Sequence, residues 1–210
     1  MAETKPRLRG ISHAAAFVIS LPLGLVLVLE AETRRSIVAA GIFAASVAVM
    51  FGASALYHCF RWAEGRRRWL RRLDHVGIYG LIAGTYTPFG LLVLRGHWRP
   101  VVLAIVWSGA LAAALLKFVW LDAPTWLSSV LGITLGWVGV VIAPQLFDEI
   151  GIGGSSLVIG GGLAYTAGAL VYAFRRPDPY PAVFGFHEVF HVLVIAAVAL
   201  QYSAVAFCVL

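Results

Sequence analysis

The sequence predicts an all-α membrane protein, a bundle of seven transmembrane helices. Three observations carry that expectation. Of 210 residues, 60% are hydrophobic and only 12% charged, a balance foreign to a soluble domain of this size. Mean hydropathy is +0.88. Apolar runs near the roughly 20 residues needed to cross a bilayer recur seven times, separated by short charged loops. Residues 1–210 are therefore expected to form one multi-pass domain in the cell (inner or plasma) membrane, with no soluble domain, linker or low-complexity tail.

The expected spans are Ile11–Leu29, Ser36–Phe60, Arg72–Leu94, Pro100–Trp120, Thr125–Phe147, Gly153–Phe174 and Val183–Val209. The first follows Lys5, Arg7 and Arg9 as a signal peptide would, but it ends in Glu30-Ala31-Glu32 without a convincing cleavage site. It reads as a retained helix. Gly80 and Gly84 in the third span, and Gly132 and Gly136 in the fifth, stand four apart, the spacing that lets helices approach closely in lipid. Gly160-Gly161-Gly162 makes the sixth span the least committed to helix. Pro22, Pro88 and Pro144 lie inside spans, where a lost backbone hydrogen bond permits a kink.

The net charge of +6 comes from arginines between apolar runs, so it speaks to membrane orientation and not to nucleic acid. Of 16 Lys and Arg residues, twelve fall on the side of the N-terminus (Lys5, Arg7, Arg9, the arginines from Arg61 to Arg72, Lys117, Arg175 and Arg176). Arg34, Arg35, Arg95 and Arg99 fall on the other. That asymmetry places the N-terminus in the cytoplasm and, with seven spans, the C-terminus outside. Cys59 and Cys208 then lie at opposite faces, too far apart for an intrachain disulfide. Cys59 follows His58 but points about 100° away from it on a helix, so it is a weak candidate ligand.

The polar residues of the spans converge at one depth. His187-Glu188-Val189-Phe190-His191 opens the last span, and its histidines are one helical turn apart on one face, able to share a metal ion. His58 lies near the cytoplasmic end of the second span, with Ser54 one turn deeper on the same face. Asp74 and His75 begin the third span. From the helical rise, all these lie roughly 8–15 Å to the cytoplasmic side of the midplane. Three imidazoles, His58, His187 and His191, leave one position of a tetrahedral zinc open, as catalytic sites do. Zinc would bring the pKa of a water there toward neutrality, with Asp74 as its base or orienting group and Ser54 as a supporting hydrogen-bond donor. Taken alone, Asp74 reads as an interfacial carboxylate at a helix N-terminus, paired with Arg71 or Arg72. His75 reads as an interface residue or a supporting partner. His13 and His97 are placed at membrane edges, outside the cluster. Glu188 is either a catalytic base or a carboxylate paired with a neighbouring helix.

Ser54-Ala55-Leu56-Tyr57-His58, Asp74-His75 with Gly84-Thr85-Tyr86-Thr87-Pro88-Phe89, and His187-x-x-x-His191 together resemble the hemolysin III family, the bacterial branch of the progestin and adipoQ receptor superfamily. Order, spacing and topology match across essentially the whole chain. The resemblance implies a seven-helix fold with zinc near the cytoplasmic face, held by His58, His187 and His191. It implies that Asp74 contacts the metal or its water and that Ser54 supports the site. Relatives with a similar site, the adiponectin receptors and alkaline ceramidases, are linked to hydrolysis of a lipid amide. The long soluble N-terminal region of the animal receptors has no counterpart here, so a hormone-receptor role is not expected. Four functions are weighed: a zinc-dependent hydrolase of lipid amides or esters, a non-enzymatic membrane-homeostasis or sensing protein with structural zinc, a pore-forming hemolysin, and an intramembrane zinc protease. A membrane lipid is the expected partner and nucleic acid is not; the sequence leaves the oligomeric state open.

Overall fold

The structure is a computed structural model and describes residues 6–210. Lys5, counted above with the basic residues of the N-terminal side, lies outside the described residues. The fold is all helical: α1 (Ile11–Glu30), α2 (Arg34–Cys59), α3 (Glu64–Pro88), α4 (Trp98–Val119), α5 (Thr125–Gly136), α6 (Ala143–Phe174) and α7 (Phe186–Ala204). A π-helical turn, Phe89–Val93, continues α3, a 3₁₀ segment, Trp137–Ile142, joins α5 to α6, and a second π turn, Val205–Val209, ends the chain. Among the described residues, six stretches are long and apolar enough to cross a membrane, and one of them, Thr125–Phe174, is 50 residues long.

That long stretch is not straight. Gly151 has φ 65° and ψ −177°, a backbone conformation open in practice only to glycine, and it lies in the interval 148–152 between the fifth and sixth expected spans. Beyond it the chain runs back alongside α5. Ser129 Oγ donates to the carbonyl of Ala169 at 3.0 Å, and Trp137 Nε1 donates to Thr166 Oγ1 at 3.0 Å. In one continuous helix Ser129 and Ala169 would be roughly 60 Å apart.

Other boundaries depart from expectation for identifiable reasons. Helix α3 starts at Glu64, not Arg72, because a helix continues past the apolar core wherever its polar residues have partners. Arg71 donates to Asp122 Oδ1 at 2.7 Å and Arg72 to the carbonyl of Phe118 at 3.1 Å, so both arginines tie α3 to the end of α4. The Arg71 guanidinium holds the exposed Asp122 carboxyl below the usual carboxylate range. The Gly160–Gly162 run stays helical, contrary to its composition, because α6 packs along α7 and Gly161 seats a side chain of that helix. Pro22 is accommodated within α1, Pro88 closes α3 ahead of the π turn, and Pro144 occupies the first turn of α6, where its missing N–H costs nothing.

Of the four spaced glycines, only Gly84 marks a close approach. A Cβ there would stand 2.1 Å from Ser46 Oγ, so α2 and α3 meet nearly backbone to backbone. Gly132 and Gly136 instead border a cavity, and Gly80 faces open space. Helix α2 begins with a capping box: Thr33 Oγ1 accepts from the Ser36 N–H at 3.0 Å and Ser36 Oγ from the Thr33 N–H at 2.9 Å. The core joins α1 through α4 to α7 through residues such as Phe43, Met50, Leu81, Val106 and Val194. The outward faces carry Val18, Leu29 and Val119, each more than half exposed, as lipid-facing side chains are.

Candidate metal centre

Helix α7 is started by two carboxylates. Asp178 Oδ1 accepts from the Phe186 N–H at 2.9 Å and Glu188 Oε2 from the Gly185 N–H at 2.8 Å. The other oxygen of Glu188 pairs with Arg9 Nε, just ahead of α1. Glu188 is thus the carboxylate paired with a neighbouring segment, and it is engaged away from the histidines; the protease reading loses its base. The strap is reinforced where the N–H groups of Arg7 and Leu8 donate to the carbonyls of Ala182 and Val183, both at 3.1 Å.

With α7 started in this way, His187 and His191 face the end of α2. Ligand nitrogens of His58, His187 and His191 all lie within 4.8 Å of one another. Ring centroids are 4.7 Å apart for His58 and His187, 4.7 Å for His187 and His191, and 5.2 Å for His58 and His191, each pair edge to face. Such rings converge through their nitrogens instead of packing face to face. His58 and His191 are buried and His187 is half-buried.

Asp74 approaches from α3. Its Oδ2 is 3.6 Å from His58 Nε2 and 3.5 Å from His75 Nδ1. Because α3 starts ten residues earlier, Asp74 does not stand at a helix N-terminus, and the arginines expected as its partners are engaged elsewhere. His75 leans back toward Asp74 in spite of being its neighbour on the helix. His97 stays apart, beside Trp98 at the other end of the bundle. Cys59 is exposed and is not part of the ligand cluster.

His13 is the residue that the sequence reading misplaced. It is 2% exposed, its ring stacks on His191 at 3.7 Å with planes 9° apart, and its Nδ1 lies 2.9 Å from Ser54 Oγ. Its position near the start of a long apolar run suggested a membrane edge, apart from the cluster. The fold covers that edge with the Arg7–Arg9 strap and brings His13 under α7. Ser54 therefore reaches the histidines through His13, one turn below His58 as its spacing required.

The donor set suits a borderline first-row cation. Three imidazole nitrogens fit zinc and its neighbours, while calcium and magnesium call for oxygen. Shut off from solvent, His191 Nδ1 has no hydrogen-bond partner among the described residues, as expected of a ring nitrogen that awaits a ligand. The cluster also closes one end of a cavity of about 310 Å³. His13, Ser54, Asp74, His187 and His191 line that end, and the remaining wall is largely apolar, reaching Leu146 and Gln201.

The comparisons with known proteins give the family. Residues 1–202 match the family model described as Haemolysin-III related. The chain is 30% identical over 203 residues to Hemolysin-3 of Bacillus cereus, covering 95% of this chain and 90% of that protein. It is 31% identical over 203 residues to the Hemolysin-3 homolog of Bacillus subtilis, with the same coverage. The Adiponectin receptor protein of Drosophila melanogaster is 27% identical over 196 residues, or 84% of this chain and 44% of the receptor. A multi-pass helical membrane protein with a buried histidine cluster able to hold a metal ion, this chain belongs to the haemolysin-III related family.

Proposed function

We propose that the chain is a single seven-helix membrane domain that holds zinc on His58, His187 and His191 and hydrolyses an amide or ester bond of a membrane lipid. The observation that carries this reading is the cavity: a largely apolar chamber with histidines of the cluster at one end. Zinc would supply a Lewis acid for the carbonyl and a water made nucleophilic near neutral pH. The protein's own residues divide the remaining work. Asp74 Oδ2, 3.6 Å from His58 Nε2, is placed to accept the proton released on attack and to return it to the leaving group. Ser54, held by His13, presents its hydroxyl at the cavity wall as a hydrogen-bond donor or acceptor. The apolar wall takes the acyl chain and excludes water from it.

The purified chain in lipid nanodiscs should release fatty acid from at least one member of a panel of lipid amides and esters. A chelator should stop the release and added zinc restore it. Absence of release from every lipid in the panel would contradict the hydrolase. The competing reading, a non-enzymatic membrane-homeostasis protein, has its own support in the ligands themselves, which come from α2 and α7 and would let the metal staple the two helices.

The turn at Gly151 supports the count of seven crossings, by dividing Thr125–Phe174 into two. With the twelve-to-four basic asymmetry, this orients the N-terminus to the cytoplasm and the C-terminus outside. A reporter fused after Leu210 should be active only in the form that works when exported; activity of a cytoplasm-dependent reporter there would overturn the orientation.

A further inference from the structure

We propose that the end of the cavity remote from the histidines carries a second binding subsite, built on Gln201, for a hydroxyl group borne partway along an acyl chain. This rests on the reading of the cavity as an acyl-chain site. Gln201 is 4% exposed and lines the cavity from α7. Its Nε2 donates to the carbonyl of Val158 on α6 at 3.1 Å, which fixes the amide: the nitrogen faces that carbonyl and the oxygen is the remaining end. Oε1, shut off from solvent, has no donor among the described residues. The side chain is also clamped, because a Cβ on Gly161 would stand only 2.6 Å from Nε2.

A buried amide oxygen without a donor is costly, and native proteins seldom leave one unless a ligand or a water completes it. One turn along α6 from Gly161, the Tyr165 hydroxyl is also shut off from solvent, has no hydrogen-bond partner among the described residues and has Thr85 as its polar neighbour. Tyr165 and Thr85 line the same cavity. The wall is therefore not uniformly apolar. It offers an acceptor at Gln201 and a hydroxyl at Tyr165, and a plain hydrocarbon chain satisfies neither. A hydroxyl on the chain donates to Gln201 Oε1 and leaves its own oxygen able to accept.

Position along the chain follows from helix geometry. Gln201 is ten residues beyond His191 on α7, roughly 15 Å along the axis. An extended chain advances about 1.2 Å per bond, so the hydroxyl belongs roughly twelve bonds from the group held at the histidines. The probes are therefore 12-hydroxyoctadecanoic acid, octadecanoic acid and 2-hydroxyoctadecanoic acid, each competing against a fluorescent fatty acid for the purified full chain in nanodiscs.

The 12-hydroxy acid should bind the wild type about ten-fold more tightly than the plain acid, the usual scale for one buried hydrogen bond. The 2-hydroxy acid should show no such gain. In Gln201→Met, which keeps the side-chain length and removes the acceptor, the preference for the 12-hydroxy acid over the plain acid should vanish, the ratio of the two affinities being the readout. Binding of all three acids with equal affinity to the wild type overturns the subsite and leaves the acyl-chain cavity standing. Failure of all three acids to bind overturns both. The comparison among acids on the wild type needs no variant, so it decides even where Gln201→Met folds poorly.

Discussion

In the double variant His58→Ala, His187→Ala, zinc content should fall to background, from an expected one ion per chain in the wild type. Elemental analysis of the purified protein against wild type is the measurement. The ligand nitrogens of the three histidines lie within 4.8 Å of one another, so each removal breaks a chelate and the double removal leaves His191 as a lone imidazole. A single imidazole competes poorly with water and buffer for the ion. Full occupancy in the double variant would show that the ion, if any, is held elsewhere.

Asp74→Asn should separate catalyst from staple. The amide keeps the shape of the carboxylate and removes the charge that can accept a proton. If Asp74 handles the proton of the hydrolysis, zinc stays bound on three imidazoles while fatty-acid release falls by roughly 10²–10⁴-fold, the range of general acid–base assistance. If the metal only ties α2 to α7, Asp74→Asn leaves function intact, and His58→Ala lowers the melting temperature and function together. Metal content, melting temperature and turnover measured on the same preparations distinguish the two outcomes. Unchanged function in Asp74→Asn, together with no turnover by the wild type, would count against the hydrolase.

The membrane class was legible because it depends on composition and hydrophobic length, which the one-dimensional chain carries directly. The cluster of His58, His187 and His191 was legible because α-helical rise turns sequence position into depth, and three distant positions fell at one depth. Depth does not give azimuth, and the errors follow from that. His13 had the right depth too, but only the packing of α1 under α7 turns its ring toward His191. For the same reason Glu188 had to stay open between a catalytic base and a paired carboxylate until the packing of the chain ahead of α1 put Arg9 beside it. The Gly160–Gly162 run looked weak because propensity was weighed without the neighbouring helix, which makes small residues an advantage. The start of α3 at Glu64 was hidden for another reason: its first turns are held by Arg71 and Arg72 through contacts with the far end of α4, a tertiary effect absent from local sequence.

The strap that joins the beginning of the chain to the start of α7 also sets an order of assembly. Arg9 has its carboxylate partner, and His13 its stacked ring, on α7, which is synthesised after α1 to α6. While the chain is being made, α1 and α2 can pair, but His58 waits with neither of its fellow ligands, and the Arg9 guanidinium waits without its counterion. The arrival of α7 completes the ion pair, the ring stack and the ligand set in one event. A nascent chain lacking α7 has His58 without the other two histidines, so a place for a metal ion exists only once that helix has packed against α1 and α2.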